Sequence, residues 1–166
     1  MTIIKKILSL LFLFVLFIGV VACNKDVAKE ANIEKFVRDY SMERYNVKNP
    51  SNPPTSDEIA NNVKEYLSKD EYDTQIANRY YSIPSMVAKE INKSIEVQDL
   101  NLEEKIKNDD STIVYKYTLK FKLYDEKSSE VYDKEGELTI STKDNQLKIT
   151  RDFSRGVEID GLDGGL

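Results

Sequence analysis

The sequence predicts an α+β domain in which N-terminal helices pack on one face of a curved antiparallel sheet of about four strands. Two observations support this. Apolar residues recur every three or four positions as far as residue 93, and then every second position beyond Ser94. The first spacing is typical of helices with one buried stripe, and the second of strands with one buried face. Helices followed by a run of strands indicate an α+β domain.

The first helix is expected between Asp26 and about Val47. Charged residues separate its apolar positions, so one side is buried and the other is wet. The segment 49–54 contains three prolines and cannot continue the helix, because proline lacks the backbone donor and holds the preceding residue extended. The apolar stripe consists of Ile33, Phe36, Val37 and Tyr40.

Three shorter helices are expected next. Thr55 with Glu58, and Ser68 with Glu71, have the spacing of capping boxes at helix N-termini. Pro84 suits the first turn of a further helix that ends near residue 93. Their apolar positions are Ile59, Val63, Tyr66, Leu67, Tyr72, Ile76, Tyr80, Tyr81, Met86, Val87 and Ile91.

Four strands are expected after Ser94. In the first strand the apolar parity changes between Val97 and Leu100, which predicts a β-bulge near Gln98 and Asp99. The second strand has the clearest alternation, with lysines and a threonine between its apolar residues. Its buried face is expected to contain Ile113, Tyr115, Tyr117, Leu119, Phe121 and Leu123.

The third and fourth strands form a hairpin around the tight turn at residues 143–145. The third strand is marked by Tyr132, Leu138 and Ile140. For the fourth strand the same alternation predicts one face that contains Leu147, Ile149, Arg151 and Phe153.

The N-terminus has the organisation of a signal peptide: Lys5 and Lys6, then an apolar run of 16 residues from Ile7 to Ala22, then Cys23. A bilayer-spanning helix usually needs roughly 17 to 25 residues, so this run is short for a permanent anchor. An uncleaved membrane helix with a packed cysteine is the alternative interpretation.

The residues Val20, Val21, Ala22 and Cys23 resemble the lipobox of bacterial lipoproteins. In that family the cysteine thiol receives a diacylglyceryl group, and the signal peptide is cut before the modified cysteine. The resemblance implies that Cys23 becomes a lipid-bearing N-terminus. Cys23 is also the single cysteine of the chain, so no internal disulfide is expected.

The expected domains are a signal peptide over residues 1–22, a lipidated tether over 23–30, one α+β domain over 31–156 and a flexible C-terminal tail over 157–166. Removing residues 1–22 takes away two lysines and no acidic residue, so the formal charge changes from −5 to −7. An acidic chain is repelled by nucleic acid and by anionic lipid. The chain must therefore be attached to its membrane partner by the lipid on Cys23.

The order and length of the elements resemble the cystatin-like cone of the NTF2-like superfamily, which occurs in small envelope lipoproteins and in conjugation and secretion components. The resemblance covers nearly all of the chain after the signal peptide. It implies a fold and transfers no catalytic residue. The composition, rich in lysine, asparagine, isoleucine and glutamate and without tryptophan, resembles that of low-GC Gram-positive proteins. The signal peptide and the lipobox place the expected anchor on the extracytoplasmic face of the cell membrane.

Few side chains offer chemistry, because the sequence contains no histidine and no Gly-rich phosphate loop. No cofactor or metal is expected. The possible pocket-lining residues are Asp99, Tyr115, Tyr117 and Arg151. Asp99 either acts as a base in an apolar cavity or belongs to the bulge and points outward. Arg151 either binds an anion at the pocket mouth or pairs with an acidic residue such as Glu43.

These features favour a non-enzymatic binding module for an envelope protein or a small ligand. One alternative is a small acid/base enzyme, an isomerase, lyase or hydrolase, that uses Asp99 and a tyrosine of the cone. Another is an exclusion or inhibitor lipoprotein.

Overall fold

A computed structural model describes residues 30, 32–160, 162 and 165–166. The chain divides into two compact units, Met1–Lys35 and Phe36–Leu166. In the first unit residues 30 and 32–35 are described, and they are helical. The predicted signal peptide and Cys23 lie outside the described residues. Within the described part, no helix combines the length and hydropathy needed to cross a membrane.

Four α-helices precede the strands. They are α1 at residues 32–45, α2 at Ser56–Val63, α3 at Lys69–Ala77 and α4 at Ile83–Ile91. The predicted capping box at α2 is confirmed: the Thr55 hydroxyl accepts from the Glu58 N–H, and the Glu58 carboxylate accepts from the Thr55 N–H. Each bond satisfies a donor that the helix N-terminus would otherwise leave without a partner.

Helix α3 differs from its predicted pattern. Ser68 caps it by accepting from the Glu71 N–H, but the buried residues of α3 are Glu71 and Gln75. Ile76 was expected in the apolar stripe and is 45% exposed, so that prediction was wrong. A polar pair can point inward here because it forms hydrogen bonds with buried groups of α1 and β4.

The sheet contains four antiparallel strands in sequential order. They are β1 at Ser94–Lys107, β2 at Thr112–Tyr124, β3 at Ser129–Ser141 and β4 at Lys148–Ser154. The predicted α+β class, helices with an antiparallel sheet of about four strands, is confirmed. Segments between the helices join both sheet edges: Val47 pairs with Ile95 of β1, and Leu67 pairs with Ile149 of β4.

The core lies on the face of β2 that the alternation predicted. All six residues of that face are buried, and the residues between them are exposed or half-buried. The buried residues are Ile113, Tyr115, Tyr117, Leu119, Phe121 and Leu123.

Bulges change which residues of each strand face the helices. The predicted bulge in β1 is confirmed between Val97 and Asp99, and a second lies between Glu104 and Ile106. A third shift, which the sequence pattern did not predict, interrupts the β3–β4 pairing next to Thr139. A bulge inserts one unpaired residue and reverses the alternation beyond it. In β4, Ile149 is therefore buried, and after the bulge the buried residue is Asp152.

Candidate functional site

The inward turn of β4 places a carboxylate in the core, where it meets a cation from α1. The Arg44 guanidinium forms an ion pair with Asp152, and the two side chains are 7% and 2% exposed. Two tyrosine hydroxyls also donate hydrogen bonds to the Asp152 carboxylate: Tyr40 donates to Oδ2 at 2.8 Å, and Tyr117 of β2 donates to Oδ1 at 3.2 Å. One buried charge is thus matched by an opposite charge and two donors, as desolvation requires.

The guanidinium of Arg44 is also surrounded by aromatic rings. Its Cζ lies 4.9 Å from the ring centroid of Tyr45, 5.6 Å from that of Tyr80 and 5.9 Å from that of Tyr40. The electron-rich faces of these rings attract a cation at such distances. Nη1 also donates to the Tyr40 hydroxyl at 2.7 Å, whereas Nε is buried without a hydrogen-bond partner among the described residues.

A second layer of polar groups comes from α3. The side-chain amide of Gln75 donates to Glu71 Oε1 at 2.7 Å, and its terminal atoms lie 3.3 Å from the Tyr40 hydroxyl. The Asp152 N–H also donates to Glu71 Oε1, at 3.2 Å. Helix α3 therefore binds the backbone of β4 as well as the tyrosine of α1. We call Tyr40, Arg44, Glu71, Gln75, Tyr117 and Asp152 the buried charge network.

The electrostatics of the network keep its tyrosines protonated. Burial raises the pKa of Tyr40 and of Tyr117 well above the ordinary value, and it raises the pKa of Tyr45 to about 12. Burial acts to lower the pKa of Arg44, but the surrounding tyrosines and Asp152 outweigh it and the pKa is raised. At neutral pH the network therefore contains a guanidinium cation, and its tyrosine hydroxyls remain protonated, so they donate hydrogen bonds and do not act as bases.

A second buried cation lies beside the network. Lys134 of β3 is buried, and its ammonium donates to the backbone oxygens of Arg155 at 2.9 Å and Leu166 at 2.7 Å. Burial, together with repulsion from Arg44, lowers the pKa of Lys134 to about 8. A cavity of about 160 Å³, which we call the cation cavity, adjoins both positive groups. Its lining residues are Arg44, Tyr45, Tyr80, Ile83, Lys134, Asp152, Ser154, Gly156, Gly165 and Leu166.

Of the four sequence-predicted site residues, Tyr117 joins the buried charge network. Its ring crosses over Gly136 of β3, where a Cβ atom would come within 2.4 Å of it, so the neighbouring strand needs glycine at this point. Tyr115 is buried on the same strand face, and its hydroxyl lies 3.5 Å from Glu104 Oε2.

Asp99 and Arg151 lie at the surface. The Asp99 side chain is 67% exposed; its Oδ1 accepts from Arg38 at 3.1 Å and from the Leu100 N–H at 2.9 Å. These hydrogen bonds lower the pKa of Asp99, which is opposite to the shift that a general base requires. The Arg151 side chain is 64% exposed, and its nearest acidic partner is Glu137 at 4.0 Å.

Three central residues were not predicted from the sequence, although the sequence pattern indicated that two of them point inward. Arg44 follows Tyr40 by four positions and so lies on the same helix face. Lys134 shares its parity with Leu138, so the β3 alternation already placed it inward. Asp152 carried no such signal, because its direction depends on the bulge in the β3–β4 pairing.

A larger groove of about 820 Å³ lies between the end of α1, the loop after it and α2. It is lined mainly by polar residues and two prolines: Met42, Glu43, Asn46, Lys48, Asn49, Asn52, Pro53, Pro54, Thr55, Glu58, Ile59 and Asn62. Within the described residues, no group of three or more His, Cys, Asp or Glu side chains is arranged to hold a metal ion.

Fold and site together define a small α+β domain whose interior contains an ion pair enclosed by tyrosines. Its fold is similar to that of an IcmL-like type IV secretion system protein from Legionella pneumophila. The TM-score is 0.57 at 8% sequence identity, over 80% of this chain and 96% of that chain. At this identity the likeness concerns the fold.

Two further solved structures align with lower scores. A periplasmic fragment of TraM has a TM-score of 0.48 at 11% identity, over 76% of this chain and 96% of that chain. An Ntf2-like protein involved in plasmid conjugation has a TM-score of 0.48 at 9% identity, over 80% of this chain and 51% of that chain. No protein-family model matches the sequence, and no curated protein sequence matches it significantly.

Proposed function

We propose that this protein is a lipoprotein anchored through Cys23 to the extracytoplasmic face of the cell membrane, where its domain serves as a non-enzymatic binding module of an envelope assembly. The kind of assembly proposed is one for secretion or conjugation. Its partner is a protein of the same machinery.

The observation that carries this proposal is the fold shared with the IcmL-like protein, which extends over 80% of this chain and nearly the whole of that one. A secretion system acts at the cell envelope. The lipobox-like residues before Cys23 would bring this chain to the same compartment. Fold and N-terminus therefore support one location by independent routes.

The chemistry of the described residues favours binding over acid/base catalysis. The carboxylate of the enzyme hypothesis, Asp99, is exposed and hydrogen-bonded to Arg38, which lowers its pKa. The buried carboxylate, Asp152, is held by Arg44 and two tyrosine hydroxyls. Neither position resembles the apolar pocket in which a carboxyl group becomes a base near neutral pH.

The anchor is tested by replacing the proposed lipid-bearing residue in the full chain. We expect Cys23→Ala to accumulate as a precursor that retains residues 1–22, migrates more slowly and incorporates no radiolabelled palmitate, because alanine has no thiol to alkylate. Asn24→Ala keeps the thiol and serves as the matched control, with normal labelling and migration. Labelling and processing of Cys23→Ala like the wild type would refute the lipid anchor.

The envelope partner is tested by site-specific photocross-linking in intact cells. A photoreactive residue is placed at Phe153 or Val131, which are exposed apolar positions on the sheet, and at Met86 on α4. We expect at least one position to cross-link an envelope protein whose gene accompanies secretion or conjugation genes. The module hypothesis fails if every position gives the same cross-links as an unrelated lipoprotein.

A further inference from the structure

The last described residues of the chain return to the cation cavity. Val157 and Leu166 exchange two backbone hydrogen bonds, with N···O distances of 2.9 Å and 3.2 Å. This is the pairing of two antiparallel strands. Leu166 is 4% exposed, so the pairing also buries an aliphatic side chain.

The residue before Leu166 must be very small. A Cβ atom at Gly165 would lie 2.1 Å from the Val157 carbonyl oxygen and 2.8 Å from its carbonyl carbon. Both are backbone atoms, which cannot turn away as the end of a side chain can. The pairing with Val157 therefore requires glycine before the buried Leu166.

The polar walls of the cation cavity are built from other parts of the chain. Arg44 comes from α1 and Asp152 from β4, and the two hold each other in place. Lys134 comes from β3 and donates to the carbonyl oxygen of Arg155, directly after β4. Its second acceptor is the backbone oxygen of Leu166. Without an occupant, a buried ammonium would lose one of its two acceptors, which is costly in a desolvated site.

We propose that the Val157 backbone and the Lys134 ammonium, beside the cation cavity, form a peptide-binding site for an extended segment in which glycine precedes an aliphatic residue. The chain's own Gly165 and Leu166 bind there as an internal ligand and so line the cavity. Strand pairing to Val157 supplies the backbone contacts, and Lys134 donates a hydrogen bond to the backbone oxygen of the aliphatic residue. This inference rests on the geometry of these residues and does not depend on the lipid anchor or on the envelope role.

Backbone pairing of this kind is transferable, because any extended peptide offers the same N–H and C=O groups. A tethered segment has an advantage over a free one, since a short linker gives an effective concentration of roughly millimolar. A separate peptide should therefore bind weakly to the wild-type chain and well to a chain whose own segment cannot pair with Val157.

The experiment uses the full chain with a substitution that expels the internal segment. Gly165→Val should do so, because its side chain would collide with the Val157 backbone. Ser129→Val is the matched control, since it adds the same side chain at an exposed position of β3 that does not line the cavity. The probe is a fluorescent synthetic peptide of residues 157–166, followed by anisotropy. We expect saturable binding to Gly165→Val that is at least tenfold tighter than binding to the wild type or to Ser129→Val.

The role of Lys134 is tested in the Gly165→Val background. Adding Lys134→Met should weaken peptide binding at least tenfold, whereas adding Lys116→Met, which removes an exposed lysine, should leave it unchanged. Absence of saturable binding to folded Gly165→Val, equal binding to all variants, or indifference to Lys134→Met would each overturn the proposal. If circular dichroism shows that Gly165→Val is unfolded, Leu166→Asp replaces it with the same expectations.

Discussion

Replacing the buried carboxylate tests whether the ion pair is desolvated. In Asp152→Asn the size of the side chain is kept, but Arg44 loses its opposite charge while it stays 7% exposed. Breaking a buried pair by removing one partner typically costs about 3–5 kcal/mol, because an uncompensated charge is left in the interior. Against a total stability of roughly 5–15 kcal/mol, this loss is large enough to measure directly.

The assay is urea unfolding of the purified protein followed by far-ultraviolet circular dichroism, since the chain contains no tryptophan. We expect the free energy of unfolding to fall by about 3–5 kcal/mol in Asp152→Asn. The double variant Arg44→Met, Asp152→Leu should recover most of the loss, because it removes both charges and leaves apolar groups of similar volume.

The exposed pair Arg38 and Asp99 provides the matched control. It has the same chemistry, but solvent screens both side chains, so Asp99→Asn should leave the unfolding midpoint unchanged. If Asp152→Asn is no more destabilising than Asp99→Asn, the pair is not desolvated and the reasoning is refuted. A double variant less stable than Asp152→Asn would refute the role assigned to the uncompensated charge.

Two further predictions concern the core and the second buried cation. Leu119→Asp should unfold the domain, because an unpaired charge on the buried face of β2 costs several kcal/mol, while Val131→Asp on the exposed face should not; equal thermal melts would contradict this. For Lys134, the pKa is about 8 when folded and keeps its ordinary value near 10.5 when unfolded. The folded state therefore binds fewer protons between these two values, so its free energy of unfolding should rise from pH 8 toward pH 10. Urea titrations at several pH values should show this rise in the wild type and lose it in Lys134→Met; an identical pH profile in both would refute it.

Local patterns in the sequence were sufficient for the elements themselves. The alternation from Ile113 to Leu123 located β2 and its buried face, because in a strand with one solvent-exposed face apolar and polar residues alternate with a period of two. The Thr55 and Glu58 pair located the start of α2, since a capping box is a contact between residues three positions apart. The parity change near Asp99 located the first bulge for the same local reason.

The candidate site depended on contacts between distant elements. Alternation alone placed Arg151 on the same face as Ile149, whereas the bulge in the β3–β4 pairing turned Asp152 inward and Arg151 outward. Ile76 was misassigned for a related reason: the inward positions of α3 belong to Glu71 and Gln75, whose partners lie on β4 and α1.

The sequence by itself determined the α+β class, the order of helices and strands and the buried face of β2, because each follows from spacings within a single element. Only the tertiary structure decided that the interior contains an ion pair between Arg44 and Asp152. A buried charge is tolerated where an opposite charge and hydrogen-bond donors meet it, and here these come from residues 40, 44, 117 and 152 on three separate elements. No pattern within a single element predicts this ion pair, since one unpaired residue in the β3–β4 ladder decides which side chain of β4 points into the core.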